Sequence, residues 1–72
     1  MPSRIILRNR IGWYASRAGL ADDIVATRAG MSRSHFNRLK NGHAVPRVGT
    51  ALSVARALNV RVSQLYELRP HR

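Results

Sequence analysis

Cysteine is absent from the 72 residues, acidic side chains number three, and aromatics make up 6% of the chain. Without cysteine a disulfide framework and thiolate metal sites are excluded. No apolar run approaches the ~18 residues of a membrane-spanning helix. The start, MPSRIILRNR, lacks the long apolar stretch of a secretory signal. A cytoplasmic protein is therefore expected. The few aromatics also argue against RNA modules that work by stacking bases. No internal repeat, low-complexity tract or linker-like stretch marks a boundary, so residues 1–72 are expected to form one domain, with a core over about 9–66 between a short N-terminal arm and a C-terminal tail.

What is present is positive charge: 13 Lys plus Arg give a formal net charge of +10. Such an excess disfavours association through like surfaces and favours a polyanion, whether nucleic acid, an anionic membrane or an acidic protein. All but one of the cations are Arg, whose planar fork suits phosphate and guanine better than a Lys ammonium does. The cations are spread along the chain with apolar residues between them, which indicates a folded domain rather than a basic tail. Membrane binding by one basic amphipathic helix does not fit that distribution.

Helical periodicity dominates. Ile11, Tyr14, Ala15 and Ala18, with Leu7 before them, predict a first helix over Asn9 to Ala18 that stops at Gly19. The run Ile5, Ile6, Leu7 is compatible with a longer helix or an extended arm. Asp22 and Asp23 open a second helix to Ala29, where the helix dipole favours acids. Gly30 supplies a left-handed stop, and Ser32 caps a third helix that carries Phe36 and Leu39 inward and ends near Asn41. After Pro46, the residues Val48, Ala51, Leu52, Ala55 and Leu58 predict a fourth helix ended by Asn59. Val62, Leu65 and Tyr66 suggest a short fifth, stopped before Pro70. No segment reads as a sheet, so the expected class is a compact all-α domain of five helices.

The informative joint lies between the second and third helices. Val25, Ala26, Ala29, Gly30, Met31, Phe36 and Leu39 have the spacing of a helix-turn-helix: Ala26 is small where the helices cross, and Gly30 takes the positive φ of the turn. By itself this spacing also fits a plain helical bundle with Gly30 at a corner. At about 100° per residue, the face opposite Phe36 and Leu39 carries Arg33, Ser34, Asn37, Arg38 and Asn41, the donor and acceptor types that read base edges. A merely solvated face would usually include acids, and the third helix has none.

The segment AGLADDIVATRAGMSRSHFNRLKNGHAVP, followed by TALSVARALNV and SQLY, resembles the lambda-repressor-like helix-turn-helix family of Cro and repressor type over about Asn9 to Tyr66. The resemblance implies a five-helix DNA-binding domain and a transcriptional regulator, a repressor or autoregulated controller, that binds an inverted-repeat operator in duplex DNA as a homodimer. It carries base contacts onto Arg33, Ser34 and Asn37, with Arg38 facing either a base or a phosphate. Phosphate contacts fall on Arg10, Lys40, Asn41, Gly42, His43 and Arg47. It places the dimer contact on Val60, Val62, Leu65 and Tyr66, part of which must also close the subunit's own core; an arm through Ile5, Ile6 and Leu7 is the competing surface.

Two positions depart from the family pattern. Asp22 stands where a Gln often touches phosphate; it is expected either to pair with Arg33 and orient its fork or to act as a helix-start charge. The family's ion pair between an Arg late in the first helix and a Glu before the Asn-Gly is replaced by Ala15 and Lys40, which is expected to leave Lys40 free for phosphate. His35, His43 and His71 lack ligand spacing, and no nucleophile elbow, phosphate loop or carboxylate pair is present. Neither metal, cofactor nor catalysis is expected. The reading from another class is an antitoxin-like module that binds a protein such as a toxin, with DNA contacts secondary. It would use Ile5, Ile6, Trp13 and Ile24 as its apolar surface.

Overall fold

The computed structural model describes residues 4–71, with side chains for residues 7–69. A strand β1 (Arg4–Asn9) leads into helices α1 (Ile11–Ala18), α2 (Asp22–Ala29), α3 (Arg33–Lys40), α4 (Val48–Ala57) and α5 (Val62–Leu65), and a strand β2 (Tyr66–His71) returns beside the first. The described chain is therefore mostly helical, with five helices and one small sheet.

The central helices follow from local chemistry. Asp22 and Asp23 occupy the first turn of α2. That helix closes at Gly30, whose φ of 72° lets the Gly30 and Met31 amides donate back to the carbonyls of Thr27 and Ala26. A side chain there would be strained by the positive φ even though space is open around the Cα. Ser32 then starts α3, its Oγ accepting from the His35 amide at 3.1 Å.

The core is wholly apolar among the described residues. Ile11, Val25, Phe36, Leu39, Val54 and Leu65 are its largest fully buried side chains, one or two from each helix. Burial of each contributes roughly 1.5–3 kcal/mol. Phe36 and Leu39 lock the inner side of α3 against this core, which fixes the side that faces out.

Three expectations are corrected. The chain is not purely helical: β1 and β2 pair antiparallel with Asn9 opposite Tyr66 and Leu7 opposite Leu68. Leu7 is thus a strand residue, 40% exposed, and α1 begins at Ile11 rather than Asn9. Asn9 instead ties the ribbon to the bundle. Its Oδ1 accepts from the Ile11 amide and its Nδ2 donates to the Leu39 carbonyl, both at 3.2 Å. In α4 the inner stripe is Ala51, Val54, Ala55 and Leu58, while Val48 and Leu52 are 77% and 55% exposed. At about 100° per residue those two lie on the flank of that stripe, so three- and four-residue spacing alone set the phase wrongly.

Candidate nucleic-acid interface

The outward face of α3 holds together as expected. Arg33, Ser34 and Arg38 are exposed and Asn37 is half-buried beside them. None of these four side chains makes a hydrogen bond or ion pair among the described residues. Their donors and acceptors point outward from a helix whose opposite side is pinned by Phe36 and Leu39.

The residues expected at phosphates fall in three places. Asn41 caps the end of α3, and Gly42, at φ 78°, turns the chain so that the His43 amide donates to the Arg38 carbonyl at 2.8 Å. Arg47 lies apart, lining a depression with Gly30, Met31 and His35 beside the start of α3. Arg10 and Lys40 share a groove with Arg8, Trp13, Tyr14 and Arg69.

Lys40 is not a free cation. Its Nζ donates to both oxygens of Asp22, at 2.9 and 3.1 Å, in a pair about three-quarters buried. Asp22 accordingly does not pair with Arg33. The start of α2 and the end of α3 come together, and the Lys40 stem crosses Gly12 of α1, where a β-carbon would sit 3.7 Å from its Cγ. Lys40 therefore occupies the gap between the first three helices, and Asp22 is the carboxylate within reach. The pairing spans 18 positions in sequence and depends on the helix crossing, so helix periodicity carries no signal for it.

Arg8 and Arg69 were not expected at an interface, and Trp13 was expected only on an apolar protein-binding surface. Trp13, 54% exposed, meets Tyr14 edge-on at 4.8 Å and carries the Arg17 guanidinium over its ring at 4.7 Å. The alternation of cation and apolar residue in Leu7-Arg8 and Leu68-Arg69 is the signal that could have found the strand cations.

Of the residues expected at a dimer contact, Leu65 is completely buried in the domain's core. Among the described residues the Tyr66 hydroxyl is buried without a hydrogen-bond partner, and burial pushes that phenol's pKa up. Val60 and Val62 are half-buried. Beside them, Leu7, Pro46, Val48, Leu52, Val62 and Tyr66 line an apolar depression of about 250 Å³. The side chains of Ile5, Ile6 and His71 lie outside the described set. Trp13 and Ile24 are exposed on α1 and α2. No helix among the described residues is long and apolar enough to cross a membrane.

Two capped helices joined at a left-handed glycine, the second presenting an acid-free polar face, define a helix-turn-helix domain. The family profile described as helix-turn-helix matches residues 24–65, more than half of the chain. The chain belongs to this family, in its lambda-repressor-like branch. It is also similar in fold to a crystal structure of a Bacteroides fragilis protein provisionally described as DNA-binding. The TM-score is 0.78 at 24% identity, covering 86% of this chain and 100% of that one. No match to this chain was found among curated proteins.

Proposed function

We propose that this protein is a transcriptional regulator that binds a specific duplex-DNA sequence by placing α3 in the major groove. The observation that carries this reading is the outward face of α3: Arg33, Ser34, Asn37 and Arg38 stand together without partners among the described residues, on a helix without a single acid. An Arg fork matches the paired acceptors of guanine, and an Asn carboxamide matches the donor–acceptor pair of adenine. Arg10, Asn41, Gly42, His43 and Arg47 position the domain on phosphates, fixing register without reading sequence.

One recognition helix reads only a few base pairs, so the working form is a dimer on an inverted repeat with half-sites about one helical turn apart. The apolar depression walled by Leu7, Val48, Leu52 and Val62 supports this, because no charged side chain among the described residues lines it in a chain of net charge +10. Burying that surface brings two copies together with the least added repulsion. Occupying a promoter in this way represses or autoregulates transcription.

The test begins with selection of bound sequences from random duplex DNA. Arg33→Ala and Asn37→Ala should each weaken binding to the selected operator by roughly 1–3 kcal/mol while binding to scrambled duplex is retained. Equal losses on both duplexes would remove these residues from sequence readout. Sedimentation with and without operator should show two copies on a full site, and non-cooperative one-to-one saturation of a single half-site would overturn the dimer.

A further inference from the structure

The groove between the ribbon and α1 has no part in base reading, and it lies largely outside the segment matched to the family. It is an open trough of about 680 Å³ whose walls bring Arg8, Arg10, Lys40 and Arg69 beside Trp13 and Tyr14. We propose that this trough is a second DNA-binding surface, which holds the sugar–phosphate backbone of duplex flanking the base pairs read by α3.

The charges are gathered rather than scattered. Glu67 Oε1 lies 3.2 Å from Arg10 Nη2 and 3.6 Å from Arg69 Nε, so one carboxylate draws two guanidiniums to the same place. Asp22 holds Lys40 in the same way. Two of the chain's three acids thus sit among these four cations, and Arg8 has no ion-pair partner among the described residues. The trough stays cationic, by two charges, and its cations are partly ordered before any ligand arrives. Trp13 adds an apolar wall and an indole N–H donor, and it holds Arg17 over its ring at the rim.

Position identifies the ligand as duplex backbone. Seven residues after Arg33, Lys40 stands only about 20° away around α3 and two turns further along, so the trough opens on the flank of the reading helix. Side chains alternate along each strand of the ribbon, which puts Arg8, Glu67 and Arg69 on one face and Leu7 and Leu68 on the other. A cationic ribbon face is thereby carried away from α3, and the domain reaches 42 Å in its longest dimension. Arg8 and Arg10 are two residues apart, roughly 7 Å in extended chain, close to the separation of neighbouring phosphates on one strand. An open trough of this kind matches a polyphosphate strand and does not enclose a small anion.

This inference rests on the α3 reading for its location, and its test separates the two. Fluorescence anisotropy across a salt series would use two duplexes containing the selected operator, one trimmed to the base pairs that α3 reads and one extended by about 10 bp on each side. The Arg8→Ala/Arg69→Ala double variant should lose about two units from the slope of log affinity against log salt on the extended duplex. It should match the wild type on the trimmed one, and its preference for operator over scrambled DNA should be unchanged. Glu67→Gln, which releases Arg10 and Arg69, should raise both affinity and slope on the extended duplex. Trp13→Ala should give a smaller loss confined to the extended duplex. Circular dichroism establishes that each variant is folded, and Glu67→Gln keeps the test open should the double variant unfold. An unchanged slope on the extended duplex, an equal loss on both duplexes, or tighter binding to RNA of the same length overturns the proposal. Loss of operator preference in the wild type would instead remove the α3 reading, while the flank effect on scrambled extended duplex would still decide the trough.

Discussion

On α3 the guanidiniums of Arg33 and Arg38 stand exposed with no ion-pair partner among the described residues, whereas in the ribbon trough Arg10, Arg69 and Lys40 are each held by a carboxylate. In the roles proposed for them, the two surfaces solve different problems. A base edge must be met by specific donors, and an acid beside them would compete for the same protons; their aim is set from behind, by Phe36 and Leu39 in the core. A phosphate strand offers charge without sequence, so cations bridged by acids lose little specificity and gain order. A helix aimed by packing should therefore fail when packing is removed, and a trough shaped by ion pairs should respond when its acids are removed.

The largest effect is expected from the packing behind α3. Phe36 is fully buried, and Phe36→Ala should cost about 3–5 kcal/mol. That is a large share of the stability open to a domain of this size. Thermal unfolding followed by circular dichroism should show a collapsed or lost transition, with operator binding lost in parallel. Retention of sequence preference in a stably folded Phe36→Ala protein would mean that α3 is aimed by something other than its core face.

Asp22 offers a test with two opposite signs. Its pair with Lys40 is about three-quarters buried, so it lies between exposed pairs and fully buried ones. Asp22→Asn should destabilise the fold by roughly 1–2 kcal/mol, because it removes a charged partner and an acid from the first turn of α2. The same change frees Lys40 at the end of α3, so affinity for all duplexes should rise and the salt slope should steepen by about one unit. Stability and binding losses in the same direction would show that the pair positions α3 rather than restrains Lys40.

Local signals made the centre of the molecule legible. The two acids of α2, Gly30, Ser32 and the spacing of Phe36 and Leu39 act within a few residues of one another, and each is found in its expected place. The ribbon was not legible, because Asn9 meets Tyr66 across the whole bundle and a run such as Ile5-Ile6-Leu7 suits helix and strand alike. Only the closure of the helices brings the two ends of the chain together. The fate of Lys40 was hidden for a related reason: both partners are helix-terminal charges, and only the crossing of α2 and α3 selects one for the other. The proposed base-reading set needed only one helix and its phase, whereas the trough needed two strands, two helices and their register.

The smallest effect tests the foot of the ribbon. Tyr66 begins β2, and its hydroxyl is buried without a hydrogen-bond partner among the described residues. Such a hydroxyl gives up hydration and gains nothing in return, so Tyr66→Phe should stabilise the fold by about 1 kcal/mol. Burial raises the folded-state pKa of this phenol above the ordinary value of 10.0. Between those two values the unfolded chain has released a proton that the folded chain retains, and stability must fall as pH rises. The contribution is intact below about pH 10 and is lost through the folded-state pKa. Melting curves at rising alkaline pH should accordingly show a decline in wild type that is shallower in Tyr66→Phe. DNA affinity at neutral pH should be unchanged, because the cationic face of the ribbon is carried by Arg8 and Arg69, not by the residue at its base. Lower stability in Tyr66→Phe would mean that the hydroxyl has a partner in solution, and a parallel fall in binding to extended duplex would tie that partner to the trough.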